Sequence, residues 1–347
     1  MTKEEKINSF DPNSWADKNA NIFGLPFTVE ESEIVIIPVP WEVTVSYGGG
    51  TVNGPEAIFE ASFQVDLYDP FVADAWKAGI AMEEIPETMK SKSEMLRLKA
   101  EKHIADLENG IDGDHSIIAE IEAGCEWMND QVKTLALHHL KNKKAVCLVG
   151  GDHSTPLGMI QALGEIHEHF GILQIDAHAD LRVAYEGFKY SHASIMYNAI
   201  EEPAVQRLVQ VGIRDYCQDE LKLINDSNGK IVTFFDREIK QQQYQSISWN
   251  EICEKIVNRL PQKVYLSFDI DGLDPKLCPN TGTPVAGGFE TDQILFLMEK
   301  VVESGRIIIG MDINEVSPAE DNDWDANVAA RLLFRLCNLM ARSQRKI

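Results

Sequence analysis

The 347-residue sequence predicts a three-layer α/β/α fold with a mostly parallel central sheet. Short, nearly continuous apolar runs recur along the chain, as expected for parallel strands that are covered on both faces. Amphipathic helical segments lie between these runs, and this alternation favours crossover connections within one sheet. No linker rich in proline, glycine or serine separates two cores. We therefore interpret residues 31–347 as one domain, which follows an irregular N-terminal arm at residues 1–30.

The predicted elements follow one another in a regular order. The apolar runs that predict strands are Ile34–Val39, Ala145–Val149, Gly171–Ile175, Leu208–Val211, Lys230–Phe235, Val264–Phe268 and Ile307–Met311. The segments with helical periodicity are Leu157–His169, Asn250–Arg259, Thr291–Glu303 and a closing amphipathic helix at Asn327–Ser343. Residues 88–143 are polar and helical in pattern without a clear strand, so we interpret them as a helical connection within the domain.

Charge and cysteine usage limit the possible partners and compartment. The formal net charge of -23 at pH 7 argues against nucleic acid, because phosphate backbones are bound by lysine and arginine. It is compatible with a small cationic substrate, since a negative surface attracts cations. The 6 cysteines form no Cys-x-x-Cys pair, and we interpret them as reduced thiols of a cytoplasmic protein. No apolar run approaches the roughly 18 residues of a membrane span, so no membrane partner is expected.

Three side chains that can bind metal alternate at the end of one predicted strand. Asp176, His178 and Asp180 directly follow the apolar run Gly171–Ile175, and only alanines lie between them. Residues i, i+2 and i+4 of an extended chain point the same way, so these side chains would face one site. A mixture of carboxylate and imidazole ligands suits Mn²⁺, Ni²⁺, Zn²⁺ or Fe²⁺.

Two other predicted strands end in residues of the same kind. His153 follows Ala145–Val149, and Asp269 and Asp271 follow Val264–Phe268. Sites in open α/β sheets form at the carboxyl ends of strands. The candidate metal ligands are therefore His153, Asp176, His178, Asp180, Asp269 and Asp271. Four carboxylates exceed what one divalent ion needs and favour two ions that share bridging carboxylates, an arrangement that activates water for metal-assisted hydrolysis.

Two further residues are candidates for catalysis. His192 lies in the loop beyond the metal-binding segment, where it could transfer a proton to a leaving amine or could be an ordinary surface histidine. Glu315 follows the predicted strand Ile307–Met311, and its carboxylate could accept two hydrogen bonds from a planar guanidinium or form an ordinary salt bridge. By contrast, His115 repeats a Gly-Asp-His-Ser motif without a preceding strand, so we interpret it as part of a surface turn before a helix.

These motifs together resemble those of the ureohydrolase family, which includes arginases and agmatinases. The matching segments are Gly-Pro-Glu-Ala-Ile at 54–58, Gly-Gly-Asp-His-Ser at 150–154, Asp-Ala-His-Ala-Asp at 176–180, Ser-Phe-Asp-Ile-Asp-Gly-Leu-Asp-Pro at 267–275 and Asp-Ile-Asn-Glu-Val-Ser-Pro at 312–318. The resemblance implies an arginase-like fold, a centre of two Mn²⁺ ions per chain with Ni²⁺ as the alternative, and hydrolysis of a guanidino carbon–nitrogen bond to urea and an amine. It also implies a homotrimer or a homohexamer.

The resemblance also implies a role for each candidate. Asp176 and Asp269 would bridge the two ions. The remaining ligands would be His153 with Asp180 at one ion, and His178 with Asp271 at the other. By position, His192 matches the family's proton-shuttling histidine and Glu315 its guanidinium-binding glutamate. The predicted catalytic residues are therefore His192, Glu315 and Asp180.

The expected substrate is a small cationic guanidino compound, with agmatine favoured. Leu181-Arg182 follows the Asp-Ala-His-Ala-Asp motif where arginases usually have Ile-Asn, which argues against arginine. Guanidine, arginine, guanidinobutyrate and formimidoylglutamate are the alternative substrates, and a mononuclear zinc deacetylase or a non-catalytic homologue are more distant alternatives. Arg182 could bind a substrate carboxylate, but we expect it to pair with Glu186 or another local acid, and Trp324 could cap a small pocket.

Overall fold

Eight parallel strands form the centre of the protein in the computed structural model, which describes residues 1–347. The strands are β1 (Ile34–Val39), β2 (Ile80–Met82), β3 (Ala145–Gly150), β4 (Phe170–Ile175), β5 (Val205–Ile213), β6 (Ile231–Phe235), β7 (Lys263–Asp269) and β8 (Ile307–Asn314). Their order across the sheet is β2-β1-β3-β8-β7-β4-β5-β6, and every neighbouring pair is parallel. The predicted fold class is confirmed.

Strand β2 is absent from the sequence prediction. It has three residues, lies at the edge of the sheet and pairs only with β1. A segment this short shows no periodicity, so no pattern distinguishes it from a loop. The seven predicted strands all occur, and β8 continues three residues further than predicted, to Asn314. That extension places Asp312 inside the strand rather than in the loop after it.

Eleven helices connect the strands. They are α1 (Lys3–Ser9), α2 (Gly54–Ser62), α3 (Glu87–Glu108), α4 (His115–Lys141), α5 (Leu157–Ile166), α6 (Ile195–Ile200), α7 (Gln218–Asp226), α8 (Asp236–Tyr244), α9 (Trp249–Val257), α10 (Thr291–Glu303) and α11 (Trp324–Ser343). Helix α4 begins after Asp114, whose side chain accepts a hydrogen bond from the Ser116 amide at 2.8 Å. His115 is therefore the exposed first residue of α4, capped by Asp114, rather than part of a turn before the helix. None of the helices combines the length and the apolarity that crossing a bilayer requires.

Side chains along the strands alternate between two apolar cores. In β3, Cys147 and Val149 belong to the core that also contains residues of α2, α9, α10 and α11, whereas Val146 and Leu148 belong to the core shared with α3, α4, α5 and α6. Both faces of the sheet are therefore covered by helices, which explains the nearly continuous apolar runs in the sequence.

The carboxyl ends of four adjacent strands meet at the middle of one sheet edge. Strands β3, β8, β7 and β4 are neighbours in that order. His153 follows β3, Glu315 follows β8, Asp269 ends β7, and Asp176 follows β4. Residues that are far apart in the sequence are thus brought to one place by the order of the strands.

Candidate metal centre

The six predicted metal ligands lie together at this edge of the sheet. Five of them are buried, and His178 is partly exposed. The ligand atoms of His153, Asp176 and Asp269 all lie within 4.8 Å of one another, and so do those of Asp176, His178 and Asp271. Asp176 belongs to both groups, which is the arrangement that a bridging carboxylate requires.

The first group surrounds the imidazole of His153. Its Nδ1 atom lies 3.1 Å from Asp176 Oδ2, 3.0 Å from Asp180 Oδ2 and 3.2 Å from Asp269 Oδ2. This buried nitrogen forms no hydrogen bond of normal geometry. Burial, followed by the charges of nearby carboxylates, raises the pKa of Asp176 to about 7. An unpaired buried nitrogen among crowded carboxylates fits a divalent cation, because the cation would bind the nitrogen and offset the negative charges.

The second group is centred on His178. Its Nδ1 atom lies 2.9 Å from Asp271 Oδ2 and 3.7 Å from Asp176 Oδ1. Burial alone would lower the pKa of His178, but the charges of Asp271 and Asp176 outweigh it and raise the pKa to about 11. The proton on His178 thus offsets the negative charge of the nearby carboxylates. A metal ion bound at this place would take over that role and release the proton.

Each of three carboxylates has one oxygen fixed by a backbone amide. Asp176 Oδ1 accepts from the His178 amide at 2.6 Å, and Asp271 Oδ1 accepts from the Ala177 amide at 3.0 Å. Asp269 Oδ1 accepts from the Asp271 amide at 2.8 Å. In Asp269 and Asp271 the Oδ2 atom lies nearest an imidazole, whereas Asp176 turns Oδ2 toward His153 and Oδ1 toward His178. The turns after β4 and β7 hold these side chains in place.

His153 is also oriented from its other side. Its Nε2 atom lies 2.9 Å from Ser267 Oγ, which donates to Asp312 Oδ1 at 3.1 Å. A histidine whose second nitrogen is held in this way presents the first nitrogen in a fixed direction. The preceding Gly151 is required by space, because a Cβ atom there would lie 2.0 Å from the carbonyl oxygen of Trp41.

Glu315 lies beside the metal-binding cluster. Its Oε1 atom accepts a hydrogen bond from the His153 amide at 2.8 Å. Burial and the nearby Asp152 raise the pKa of Glu315 well above its usual value. Glu315 and Asp180 both have left-handed backbone conformations, with φ of 64° and 52°. Such conformations are uncommon outside glycine and often occur at functional sites.

His192 lines the same pocket. Its backbone amide donates to Thr44 Oγ1 at 3.3 Å, and its ring lies edge-on to Tyr185 with 6.2 Å between the ring centroids. Burial lowers the pKa of His192 to about 4, although the charge of Asp180 opposes this effect. The imidazole is therefore neutral at neutral pH and able to accept a proton.

A pocket of about 400 Å³ contains the candidate site. Of the predicted residues, those that line it are His153, His178, Asp180, His192, Asp269, Asp271 and Glu315. Asp176 is fully buried beneath them. A larger groove of about 1050 Å³ lies elsewhere, near β1 and α4, and contains none of the candidate residues. The larger groove is therefore not the candidate active site, and we assign the site to the smaller pocket because it contains the candidate metal ligands.

Two expectations about the surroundings of the site are wrong. Arg182 does not pair with Glu186; its guanidinium stacks on the ring of Tyr185 at 4.7 Å and lines the pocket. Glu186 has a left-handed backbone, and its Oε2 atom is buried without a hydrogen bond. Trp324 does not cap the pocket, because it begins α11 and donates its indole N–H to the Lys276 carbonyl at 3.0 Å.

Several residues of the site are missed by the sequence analysis. Gln174 donates to Asp176 Oδ2 at 2.8 Å, and Asp215 lies 3.9 Å from His178 Nε2. A signal for Gln174 exists, because it is a polar residue in an apolar strand two positions before Asp176 and must therefore share its face. No sequence pattern predicts Asp215 at the site, because it is placed there only by the pairing of β4 with β5.

Comparisons with known proteins agree with this fold. The model of the arginase family matches residues 32–338. N(1)-aminopropylagmatine ureohydrolase of Thermus thermophilus is 33% identical over 311 residues, which cover 89% of this chain and 91% of the relative. Agmatinase of Bacillus subtilis is 26% identical over 310 residues, covering 88% of this chain and 90% of the relative. The crystal structure of agmatine ureohydrolase of Thermoplasma volcanium has a TM-score of 0.72 at 23% identity, covers 99% of both chains, and supports the fold.

Proposed function

The chain belongs to the arginase family and is a hydrolase of guanidino carbon–nitrogen bonds, and we propose that its substrate is agmatine, with urea and putrescine as products. The observation that carries this proposal is the pocket in which two metal-binding groups share Asp176 beside Glu315 and His192. The relatives support a cationic guanidino substrate of this kind: those of 27% and 26% identity are named agmatinase, and one of 33% identity is named N(1)-aminopropylagmatine ureohydrolase.

The proposed centre binds two Mn²⁺ ions, with Ni²⁺ as the alternative. Asp176 and Asp269 would be shared by both ions. The further ligands would be His153 with Asp180 at one ion, and His178 with Asp271 at the other. The oxygen-rich ligand set with two imidazoles suits either metal. When bound, the ions supply Lewis acidity that lowers the pKa of an attacking water.

Glu315 and His192 would handle the substrate. The Glu315 carboxylate can accept parallel hydrogen bonds from the planar guanidinium, and these bonds are strong because the site is buried. As water adds to the guanidino carbon and the bond to the amine breaks, the leaving nitrogen must gain a proton. His192 is neutral and lines the same pocket, so it can accept a proton and pass it to that nitrogen.

The charges at the pocket mouth support a cationic tail. Asp215 lines the pocket, and its carboxylate is 69% exposed. The net charge of -23 would attract a dication such as agmatine. One observation favours a second candidate, a guanidino acid such as guanidinobutyrate. Arg182 stacks on Tyr185 in the pocket, where its N–H groups could bind a carboxylate.

Urea release from a substrate panel tests the proposal. The panel contains agmatine, N(1)-aminopropylagmatine, arginine, guanidinobutyrate, guanidinopropionate and guanidine, each with Mn²⁺ and with Ni²⁺, and formimidoylglutamate is followed by formamide release. We expect the highest kcat/KM for agmatine. A preference for guanidinobutyrate would establish the second candidate. Absence of urea from every compound, or a single tightly bound Zn²⁺ without response to Mn²⁺ or Ni²⁺, would overturn the proposal.

The variant Arg182→Gln separates the two candidates. If Arg182 binds a substrate carboxylate, its loss should reduce kcat/KM for guanidinobutyrate by about 10- to 100-fold, the usual cost of a lost charge-assisted hydrogen bond. The value for agmatine should stay within about threefold of the wild type, because agmatine has no carboxylate. Equal losses for both compounds would exclude a role for Arg182 in choosing the tail.

We also propose that the protein is a cytoplasmic homotrimer or homohexamer, as the family resemblance implies. The chain has a mass of 38.9 kDa, so light scattering after size exclusion distinguishes these assemblies from a monomer. A mass of one chain at micromolar concentration would contradict the oligomer.

A further inference from the structure

Five polar side chains form one row across the otherwise apolar sheet. The register pairs Asp312 with Ser267, Ser267 with Gln174, Gln174 with Gln210, and Gln210 with Thr233. Residues paired in register point to the same face, so all five lie on the face that carries Asp176. Gln174 and Gln210 are both fully buried. Burial of two amides costs free energy unless their hydrogen bonds are satisfied.

The last three residues of the row donate in one direction. Thr233 Oγ1 donates to Gln210 Oε1 at 2.7 Å, and Gln210 Nε2 donates to Gln174 Oε1 at 2.7 Å. Gln174 Nε2 then donates to Asp176 Oδ2 at 2.8 Å. Each hydrogen bond in this series polarises the next one, so the N–H of Gln174 becomes a stronger donor to the Asp176 carboxylate.

Both glutamines also hold the backbone that carries the metal ligands. Gln174 Nε2 donates to the His178 carbonyl at 3.2 Å, and Gln210 Nε2 donates to the Ala179 carbonyl at 2.7 Å. These carbonyls lie beyond the end of β4, where regular strand pairing has stopped. The two amides therefore add to the isolated bridge between His178 and Asp215 in holding the segment that contains the candidate ligands.

We propose that Thr233, Gln210 and Gln174 are positioning residues that orient Asp176 and set the affinity of the two-metal centre. This inference rests on the proposed metal centre. Asp176 Oδ2 lies 3.1 Å from His153 Nδ1, and Asp176 belongs to both ligand groups. A carboxylate without its donor can rotate about its side-chain bonds, and both ions would then lose a fixed ligand. An apolar residue at 174 or 210 would fill the same space but could not hold this geometry.

Metal affinity of the full-length apoprotein tests the inference without relying on activity. Competition titration with Mn²⁺ and a chelator should show about 10- to 100-fold weaker binding in Gln174→Leu, the range typical for loss of a residue that orients a metal ligand. Gln210→Leu should weaken binding by a smaller factor, because Gln174 keeps its direct bond to Asp176. Thr233→Val should weaken Mn²⁺ binding severalfold. Thr233→Ser keeps the hydroxyl and should bind Mn²⁺ with wild-type affinity.

The matched control is Asn338→Leu. Asn338 is also a fully buried amide, and it donates to the Asp69 carboxylate at 2.9 Å, but it lies on α11 in the core on the other face of the sheet. We expect this variant to lose thermal stability and to keep wild-type metal affinity.

Two results would overturn the inference. One is wild-type Mn²⁺ affinity in folded Gln174→Leu and Gln210→Leu; the other is equal weakening in Asn338→Leu, which would indicate general destabilisation. If the leucine variants do not fold, the comparison of Thr233→Val with Thr233→Ser decides, because Thr233 is only partly buried. Failure of the proposed metal centre is a distinct result, since the wild-type protein itself would then not bind two ions. The substrate is tested separately by the urea-release panel.

Discussion

At the scale of single residues, three of the carboxylates proposed to bind metal each have one oxygen held by a backbone amide. In Asp269 and Asp271, a backbone amide holds Oδ1, while Oδ2 lies nearest an imidazole. In Asp176, Oδ1 accepts from the His178 amide and faces the His178 ring, while Oδ2 lies nearest His153. Holding one oxygen reduces the conformational freedom that metal binding would otherwise have to remove. The site is therefore largely arranged before an ion arrives.

Glu315→Gln should keep the metal ions and lose turnover. The variant retains an oxygen that can accept the His153 amide, so the neighbouring ligand should stay in place. It loses the negative charge that pairs with guanidinium, and hydrogen bonds to charged groups contribute about 1.5–3 kcal/mol. We expect kcat/KM for agmatine to fall by about 10- to 150-fold or more. Metal content by mass spectrometry is the control, and an unchanged kcat/KM would remove Glu315 from substrate binding.

His192→Asn should lower kcat by a factor that does not depend on pH between 5 and 8. Burial lowers the pKa of His192 to about 4, so the ring has already lost its proton at pH 5 and stays neutral up to pH 8. Loss of a proton-transferring group typically costs about 10²- to 10⁴-fold in rate. The pH dependence of kcat in both proteins provides the measurement. An acid limb near pH 6 to 7 that disappears in the variant would contradict the lowered pKa.

At the scale of elements, the loop after β1 contributes Ser46 to one wall of the pocket and is held by contacts with the Glu42 carboxylate and with helix α3. Glu42 Oε2 accepts hydrogen bonds from the Gly50 amide, the Thr51 hydroxyl and the Val52 amide at 2.7, 3.1 and 3.0 Å. Helix α3 supports the same loop through Arg97, which donates to the Val45 carbonyl. This contact gives the helical connection a role beside the active site.

Glu42→Ala should disturb this wall without removing metal. Ser46 of the loop lines the pocket, and Thr44 accepts the hydrogen bond from the His192 amide. We expect kcat/KM to fall by about 10-fold or more, since each lost bond to a charged group costs about 1.5–3 kcal/mol. Glu42→Gln retains an acceptor oxygen and should recover most of the activity. Equal defects in both variants would show that the three hydrogen bonds do not hold the loop.

Local sequence patterns predict some elements of this protein well and others not at all. Helix α10 begins and ends at the predicted residues, because its apolar periodicity is clear and it starts at a threonine. Strand β2 has too few residues to show a pattern. The ligand positions could be read from alternation at strand ends, whereas the stacking of Arg182 on Tyr185 depends on tertiary contacts. Local patterns therefore locate the candidate ligands, which the structure brings together, better than the walls of the pocket.

At the scale of the whole molecule, the order of the strands assembles the site. Four separate segments, each following an apolar strand, converge because β3, β8, β7 and β4 are adjacent and parallel. The fold class and the convergence at the carboxyl edge follow from sequence alone. The order of the strands does not, because every crossover connection joins strands through helices that look alike in pattern. The row from Asp312 to Thr233 depends on that order, which is why it becomes visible only in the structure.

The central claim is that this hydrolase needs two metal ions that share Asp176. The most direct measurement is urea release from agmatine as Mn²⁺, or Ni²⁺ in a parallel series, is added to the apoprotein. We predict that activity appears as the second equivalent per chain binds, and that Asp176→Ala neither retains two ions nor releases urea. Full activity at one equivalent per chain, or two ions and normal turnover in Asp176→Ala, would contradict the shared two-metal centre.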